Sequence, residues 1–120
     1  EASHAAGLAV LMGAPNLVRG GSHSGNVAAI ELARLGLLDI VSSDYVPASL
    51  VHSAFLLVDQ ADTMDLPAAV ATVTRNPARA AKLTDRGEIA VGLKGDLVRV
   101  HDHRHHPILR GVWRDGVRVS

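Results

Sequence analysis

With 120 residues and twelve basic side chains cancelling twelve acidic ones, the chain can form one ordinary domain, and falls short of the about 250 residues of a complete eight-stranded α/β barrel. Balanced charge gives no general attraction to nucleic acid or an anionic membrane, and one Phe, one Trp and one Tyr provide no aromatic platform for stacked bases. The lack of cysteine excludes disulfides, thiolate nucleophiles and thiolate metal sites, so any metal must be held by His and carboxylate.

The chain opens on Glu1-Ala2-Ser3-His4, in what reads as the end of a helix stopped by Gly7. There is no initiating Met, no basic and apolar leader, and no run near the about 18 apolar residues of a membrane span. A cytoplasmic protein is expected, and removal of a tag, proteolysis, or a chain that is only the C-terminal part of a longer protein would each explain the start within a helix. Residues 9–12 form a short apolar run ended by Gly13, Pro15 and Asn16, which predicts a buried strand opening into a loop. A glycine-rich stretch follows, then a helix over 27–35 with Val27, Ile30 and Leu35 on one side. Asn26 serves as its N-cap and Gly36 as its stop. The next strand is 39–42. The helix over 48–60 carries Leu50, Val51, Ala54, Phe55 and Val58 at helical spacing and should be well buried. A helix over 66–73 starts near Pro67, and a short one runs from Asn76-Pro77 to Ala81. Alternation of short apolar runs with helices predicts βα units and a parallel sheet.

Near residue 85 the texture changes to glycine-punctuated β. Three or four strands are expected, from 87–91, 96–100, 108–114 and 117–119, with a turn at 92–95. The Asp115-Gly116 pair is a strong hairpin signal, because a two-residue turn of the favoured kind needs positive φ.

Three groups of residues could carry chemistry. The first is Arg19-Gly20-Gly21-Ser22-His23-Ser24-Gly25-Asn26, between a strand and a helix. Its backbone N–H groups, two hydroxyls and a guanidinium suit phosphate oxygens, although no Gly-Lys-Ser/Thr ends it as in a P-loop. The bland alternative is a connection whose serines cap the helix. The second is Asp44, directly after an apolar strand, placed either to ligate a metal and take a proton from its water or to cap the next helix. A triad of Ser22 or Ser24 with His23 and Asp44 lacks any nucleophile elbow. The third is His101-Asp102-His103-Arg104-His105-His106, where alternate histidines share a face on extended chain. A solvated hairpin loop with adventitious nickel or zinc binding is the favoured reading there. His4 and His52 fall in helical text as ordinary residues, and Arg75, Asn76 and Arg79 read as structural ties.

Several strings then resemble a known family in order along the chain. These are Met12-Gly13-Ala14-Pro15-Asn16, the Arg19 to Asn26 stretch, Ser42-Ser43-Asp44-Tyr45-Val46-Pro47-Ala48-Ser49, Thr74-Arg75-Asn76-Pro77-Ala78-Arg79-Ala80, and Arg86-Gly87-Glu88-Ile89-Ala90 through Gly95-Asp96-Leu97-Val98. They resemble the C-terminal third of the diphosphatases of phosphonate metabolism in the carbon-phosphorus lyase pathway, within the metal-dependent amidohydrolase superfamily. The Asn-Pro-Ala and Gly-Glu-Ile elements are shared by many amidohydrolases, whereas the Gly-Gly-Ser-His-Ser-Gly-Asn and Ser-Ser-Asp-Tyr-Val-Pro strings look particular to the diphosphatases.

The resemblance implies an α/β fold: 1–85 as the last βα units and terminal helices of a (β/α)8 barrel, and 86–120 as the C-terminal part of a small β-sandwich domain. Residues 9–12 and 39–43 correspond to barrel strands seven and eight. Asp44 matches the strand-eight aspartate that binds metal and handles the proton of the attacking water. Arg19, Gly20, Gly21, Ser22, His23, Ser24 and Asn26 then bind the substrate, a ribose 5-triphosphate carrying a 1-methylphosphonate that loses pyrophosphate. Divalent metal ions (zinc, iron or manganese) are the implied cofactors. A deacetylase or deaminase is the alternative within the superfamily, and a non-catalytic phosphate-binding or assembly module is the alternative outside it. Gly95 stands where the family commonly has Ala, read as a minor change in a turn. The His-x-His of strand one, the bridging acidic or carboxylated residue and the middle-strand histidines have no counterpart here. The chain alone is therefore expected to hold no catalytic metal, to be silent, and to associate with the upstream barrel or in a homo-oligomer. Its two parallel strands are expected to leave their outer edges uncovered.

Overall fold

A computed structural model describes residues 9–14, 29–43, 49–61, 63–104 and 106–120. The elements among them are β1 (Leu11–Gly13), α1 (Ala29–Arg34), β2 (Ile40–Ser42), α2 (Ser49–Gln60), α3 (Leu66–Ala71), α4 (Arg75–Ala80), β3 (Leu97–His103), β4 (His106–Arg114) and β5 (Val117–Arg118). The architecture is mixed α/β. β1 and β2 form a parallel pair joined through α1, and β3, β4 and β5 form an antiparallel sheet in that order.

Small residues let the α/β part close. Ala14, Ala33, Ala54, Ala61 and Ala69 share a core with Leu38, Val41 and Leu57, and Met12, Leu32, Leu50, Val58, Met64 and Val73 pack against its margin. The polar groups inside are satisfied locally: Ser53 Oγ donates to Leu50 O at 2.6 Å, and Thr72 Oγ1 to Ala69 O at 2.6 Å. Helix ends are tied as well, since unpaired terminal carbonyls and amides need partners. Arg34 Nε and Nη2 donate to Gln60 O at the end of α2 at 3.2 and 2.8 Å. Asp65 caps α3 by accepting from Ala68 N at 3.0 Å, with Pro67 in the first turn. Leu35 departs from expectation: it lies past the end of α1 and is exposed, and Leu32 and Ala33 face the core instead.

The outer edge of β2 is not bare, contrary to the expectation of two open edges. Val41 N donates to Thr72 O at 3.0 Å, so the α3–α4 junction stands where a neighbouring strand's acceptor would.

Among the described residues the tail contains three strands, the lower of the two numbers expected. No strand forms over 87–91; Ile89 is 87% exposed and Val91 fully so. The chain there turns at Gly87 (φ +105), where a Cβ would stand 2.8 Å from Ala78 Cβ. A backbone pressed onto α4 in that conformation cannot continue an extended ladder. Asp115 (φ +50) and Gly116 (φ +78) form the expected tight turn between β4 and β5. Gly95 is more than a minor departure, because a Cβ there would lie 2.8 Å from Gly116 N. Gly95 O accepts from that same N–H at 2.9 Å, and Asp96 Oδ1 from Asp115 N at 2.9 Å. Close backbone approach at the neck of the sheet thus fixes glycine at position 95.

Candidate active site

Leu11 lies opposite Ile40, Met12 opposite Val41 and Gly13 opposite Ser42. With the strands parallel and in step, the chain leaves both at the same end. Beyond Gly13 comes Ala14, completely buried, and beyond Ser42 comes half-buried Ser43. The proposed carboxylate Asp44 is the next residue. Asp44, and Arg19, Gly20, Gly21, Ser22, His23, Ser24 and Asn26 of the glycine-rich stretch, lie outside the described residues, as do His4 and His105. The described part accordingly shows what launches these segments.

At the opposite end of the pair, Val10 N donates to Asp39 Oδ2 at 2.8 Å. Asn76 Nδ2 donates to Asp39 O at 2.8 Å. Asn76 is therefore a structural tie, as its place before Pro77 suggested, whereas Arg75 and Arg79 are exposed on α4. Asp39 was not singled out from the sequence. The available signal was a carboxylate opening an apolar parallel strand, where an unpaired charge is costly unless it is hydrogen-bonded.

The histidine-rich segment forms the tip of the β3–β4 hairpin. His101 and His103 belong to β3 and His106 to β4 rather than to a loop, and all three are exposed. The rings of His101 and His103 stack with centroids 6.0 Å apart, and His106 lies 5.8 Å from His52 of α2. Among the described residues no three His, Asp or Glu side chains converge to hold a metal ion. They do not make up a metal centre by themselves.

A mainly apolar cavity of about 1120 Å³ opens between α2, α3, α4 and β3, lined by Leu50, Phe55, Val70, Leu83, Ile89 and Val98 among others. None of its lining residues belongs to β1 or β2. Its few polar lining groups include Thr74, Arg75 and Arg86, at positions distant in sequence from the glycine-rich stretch.

A parallel strand pair followed by an antiparallel tail, in a mixed α/β chain, is consistent with a segment of an amidohydrolase. The chain belongs to the amidohydrolase family, whose profile matches residues 12–120. It is 59% identical over 120 residues to alpha-D-ribose 1-methylphosphonate 5-triphosphate diphosphatase of Escherichia coli (strain K12). That match covers 99% of this chain and 32% of the relative's length. No solved structure matches. Members of the superfamily generally act with divalent metal ions.

Proposed function

We propose that this chain serves as the segment of a metal-dependent diphosphatase that supplies the final barrel strands and the end of a small β-domain. The activity is removal of pyrophosphate from a ribose 5-triphosphate bearing a 1-methylphosphonate, in phosphonate catabolism. The observation that carries this reading is the 59% identity extending over 99% of the chain. In this assignment β1 and β2 are barrel strands seven and eight, residues 1–85 belong to the barrel, and 86–120 to the β-domain. Parallel pairing through α1 and the change to antiparallel sheet at β3 support the division.

Asp44 acts as one ligand of a divalent metal centre, zinc, iron or manganese, whose other ligands come from parts of the longer protein outside this chain. Its carboxylate also accepts the proton of the attacking water. Arg19 and the N–H and hydroxyl groups of Gly20, Gly21, Ser22, His23, Ser24 and Asn26 hold the phosphate oxygens. So many anion donors have no use on the neutral substrate of a deacetylase or deaminase, and the relative's activity gives no support to a non-catalytic module. Exposed Ile89, Val91, Val117 and Val119 are the surfaces that the upstream barrel, or a second copy, covers. No helix among the described residues is long and apolar enough to cross a membrane.

The test places this chain in the E. coli diphosphatase instead of its matching segment. Asp44→Asn in that chimera should lower turnover about 10³-fold or more, because an amide ligates metal poorly and takes no proton. Arg19→Ala should raise KM for the triphosphate with metal content unchanged, as charge-assisted bonds to phosphate are worth about 1.5–3 kcal/mol. Turnover within about threefold in Asp44→Asn, or equal loss of metal in Arg19→Ala, would remove these assignments.

A further inference from the structure

The histidines at the tip of the β3–β4 hairpin take no part in the chemistry above. Arg104, at φ +50, turns the chain beyond His103, and His103 stands opposite His106 across the two strands. The ring of His106 lies 5.8 Å from that of His52 on α2, with 35° between the planes. A second ring pair, His101 with His103, is 6.0 Å apart and belongs to β3 alone. Only the first pair joins two elements, a helix of the α/β part and a strand of the antiparallel tail.

Among the described residues no hydrogen bond or ion pair engages the imidazole of His52 or His106, so their ring nitrogens are open to a ligand. Zn–N bonds of about 2.0–2.1 Å put each ring centre about 3.2 Å from a bound ion. Two imidazoles on one ion then have centres about 5 Å apart at the tetrahedral angle and about 6 Å apart as the angle opens. The separation of His52 and His106 falls inside that span. His52 is also held in place: it is half-buried, and the next three residues of α2, Ser53, Ala54 and Phe55, are buried. A ligand already fixed on a packed helix loses little freedom on binding. Imidazole suits zinc, copper and nickel, whereas magnesium and calcium prefer oxygen ligands. Because no third His, Asp or Glu converges among the described residues, the protein offers two ligands and solvent completes the coordination.

We infer that His52 and His106 form a binding site for one zinc-class divalent ion, which ties the tip of the β3–β4 hairpin to α2. The site is separate from the metal centre assigned to Asp44 and does not rest on that assignment. It differs in its thermodynamics from a chelate on His101 and His103. Those two histidines are neighbours along the chain and remain so when it unfolds, whereas folding alone brings residues 52 and 106 together. An ion on His52 and His106 therefore stabilises the folded chain, and an ion that binds the unfolded chain as well does so less.

The test uses Zn²⁺ alone with the 120-residue chain, followed by calorimetry and thermal unfolding. One ion should bind per chain, and free Zn²⁺ at about a hundred times Kd should raise the thermal midpoint by about 5–10 °C. His52→Gln and His106→Gln should each weaken binding at least about tenfold and remove the rise in midpoint. His106 is exposed at a hairpin tip, so its variant keeps the test open even where substitution of His52 disturbs α2. His52→Cys, which supplies a thiolate in place of the imidazole, should restore binding. His101→Gln should leave both affinity and the rise in midpoint as they were. A loss of less than tenfold in either His52→Gln or His106→Gln would overturn the site. So would Zn²⁺ binding with no rise in midpoint, or binding that disappears in His101→Gln, since each marks an adventitious ion on the strand only.

Discussion

Two helix ends of identical bonding show what one residue contributes. After α1, Leu37 N donates to Leu32 O and Gly36 N to Ala33 O; after α4, Leu83 N donates to Ala78 O and Lys82 N to Arg79 O. This double pattern places one residue in the left-handed region, and glycine takes it without strain. Gly36 has φ +71, but at the second end Lys82 sits at φ +61. Lys82→Gly should therefore stabilise the chain by about 1 kcal/mol, visible as a higher thermal midpoint; a lower midpoint would mean that the lysine makes compensating contacts. The contrast also explains legibility. Gly36 announced its helix end in the sequence, whereas Lys82 could not, because backbone bonds force its conformation against its preference. Near it, a hydrogen bond from Arg86 and the charge of that guanidinium hold the Asp85 carboxyl below its ordinary range against some desolvation. A lowered pKa means that the pair's stabilisation is present above the ordinary carboxyl value and fades as pH falls through the lowered one. Arg86→Ala should return the Asp85 titration, followed by NMR, to higher pH; an unmoved titration would contradict the cause given.

Among the elements, α3 depends on its cap, since a helix of six residues has little intrinsic stability. Asp65→Ala should cost about 1 kcal/mol by leaving Ala68 N without its acceptor, read as a shift in denaturant midpoint, and Asp65→Asn should recover most of it. In the tail sheet, Gly95→Ala should cost about 1–3 kcal/mol, because the added methyl meets the backbone of Gly116; a neutral result would mean that the β4–β5 turn yields easily. Periodicity found α2 and the β4–β5 hairpin because their patterns are local. It failed over 87–91, where apolar alternation resembles a strand but Gly87 must fit against Ala78 and Arg75 of α4, a contact no local pattern encodes. The donors of the proposed site are named from the sequence because phosphate and metal chemistry demands particular residue types in one run, and they lie outside the described residues. Asp39 was not legible, because its partners Val10 and Asn76 are distant in sequence and its role is to hold β2 in place.

For the whole molecule, stability rests on a small core in which alanines allow close approach and Leu57 is its largest completely buried side chain. Leu57→Ala should cost about 2–5 kcal/mol, a large share of what a domain of this size has. Apolar groups left on the outside, Ile89, Val91, Val117 and Val119 among them, predict that the isolated chain associates; light scattering showing a monodisperse monomer would contradict that. We propose that the glycine-rich stretch after β1 and Asp44 after β2 build one site at the shared end of a parallel pair. A crystal structure of the chimera with a non-hydrolysable triphosphate analogue tests it most directly. Phosphate oxygens are expected on the N–H groups of Gly20 and Gly21 and on Arg19, with the Asp44 carboxylate on the metal beside them. A triphosphate bound elsewhere, or Asp44 turned away from it at the opposite end of β2, would contradict it.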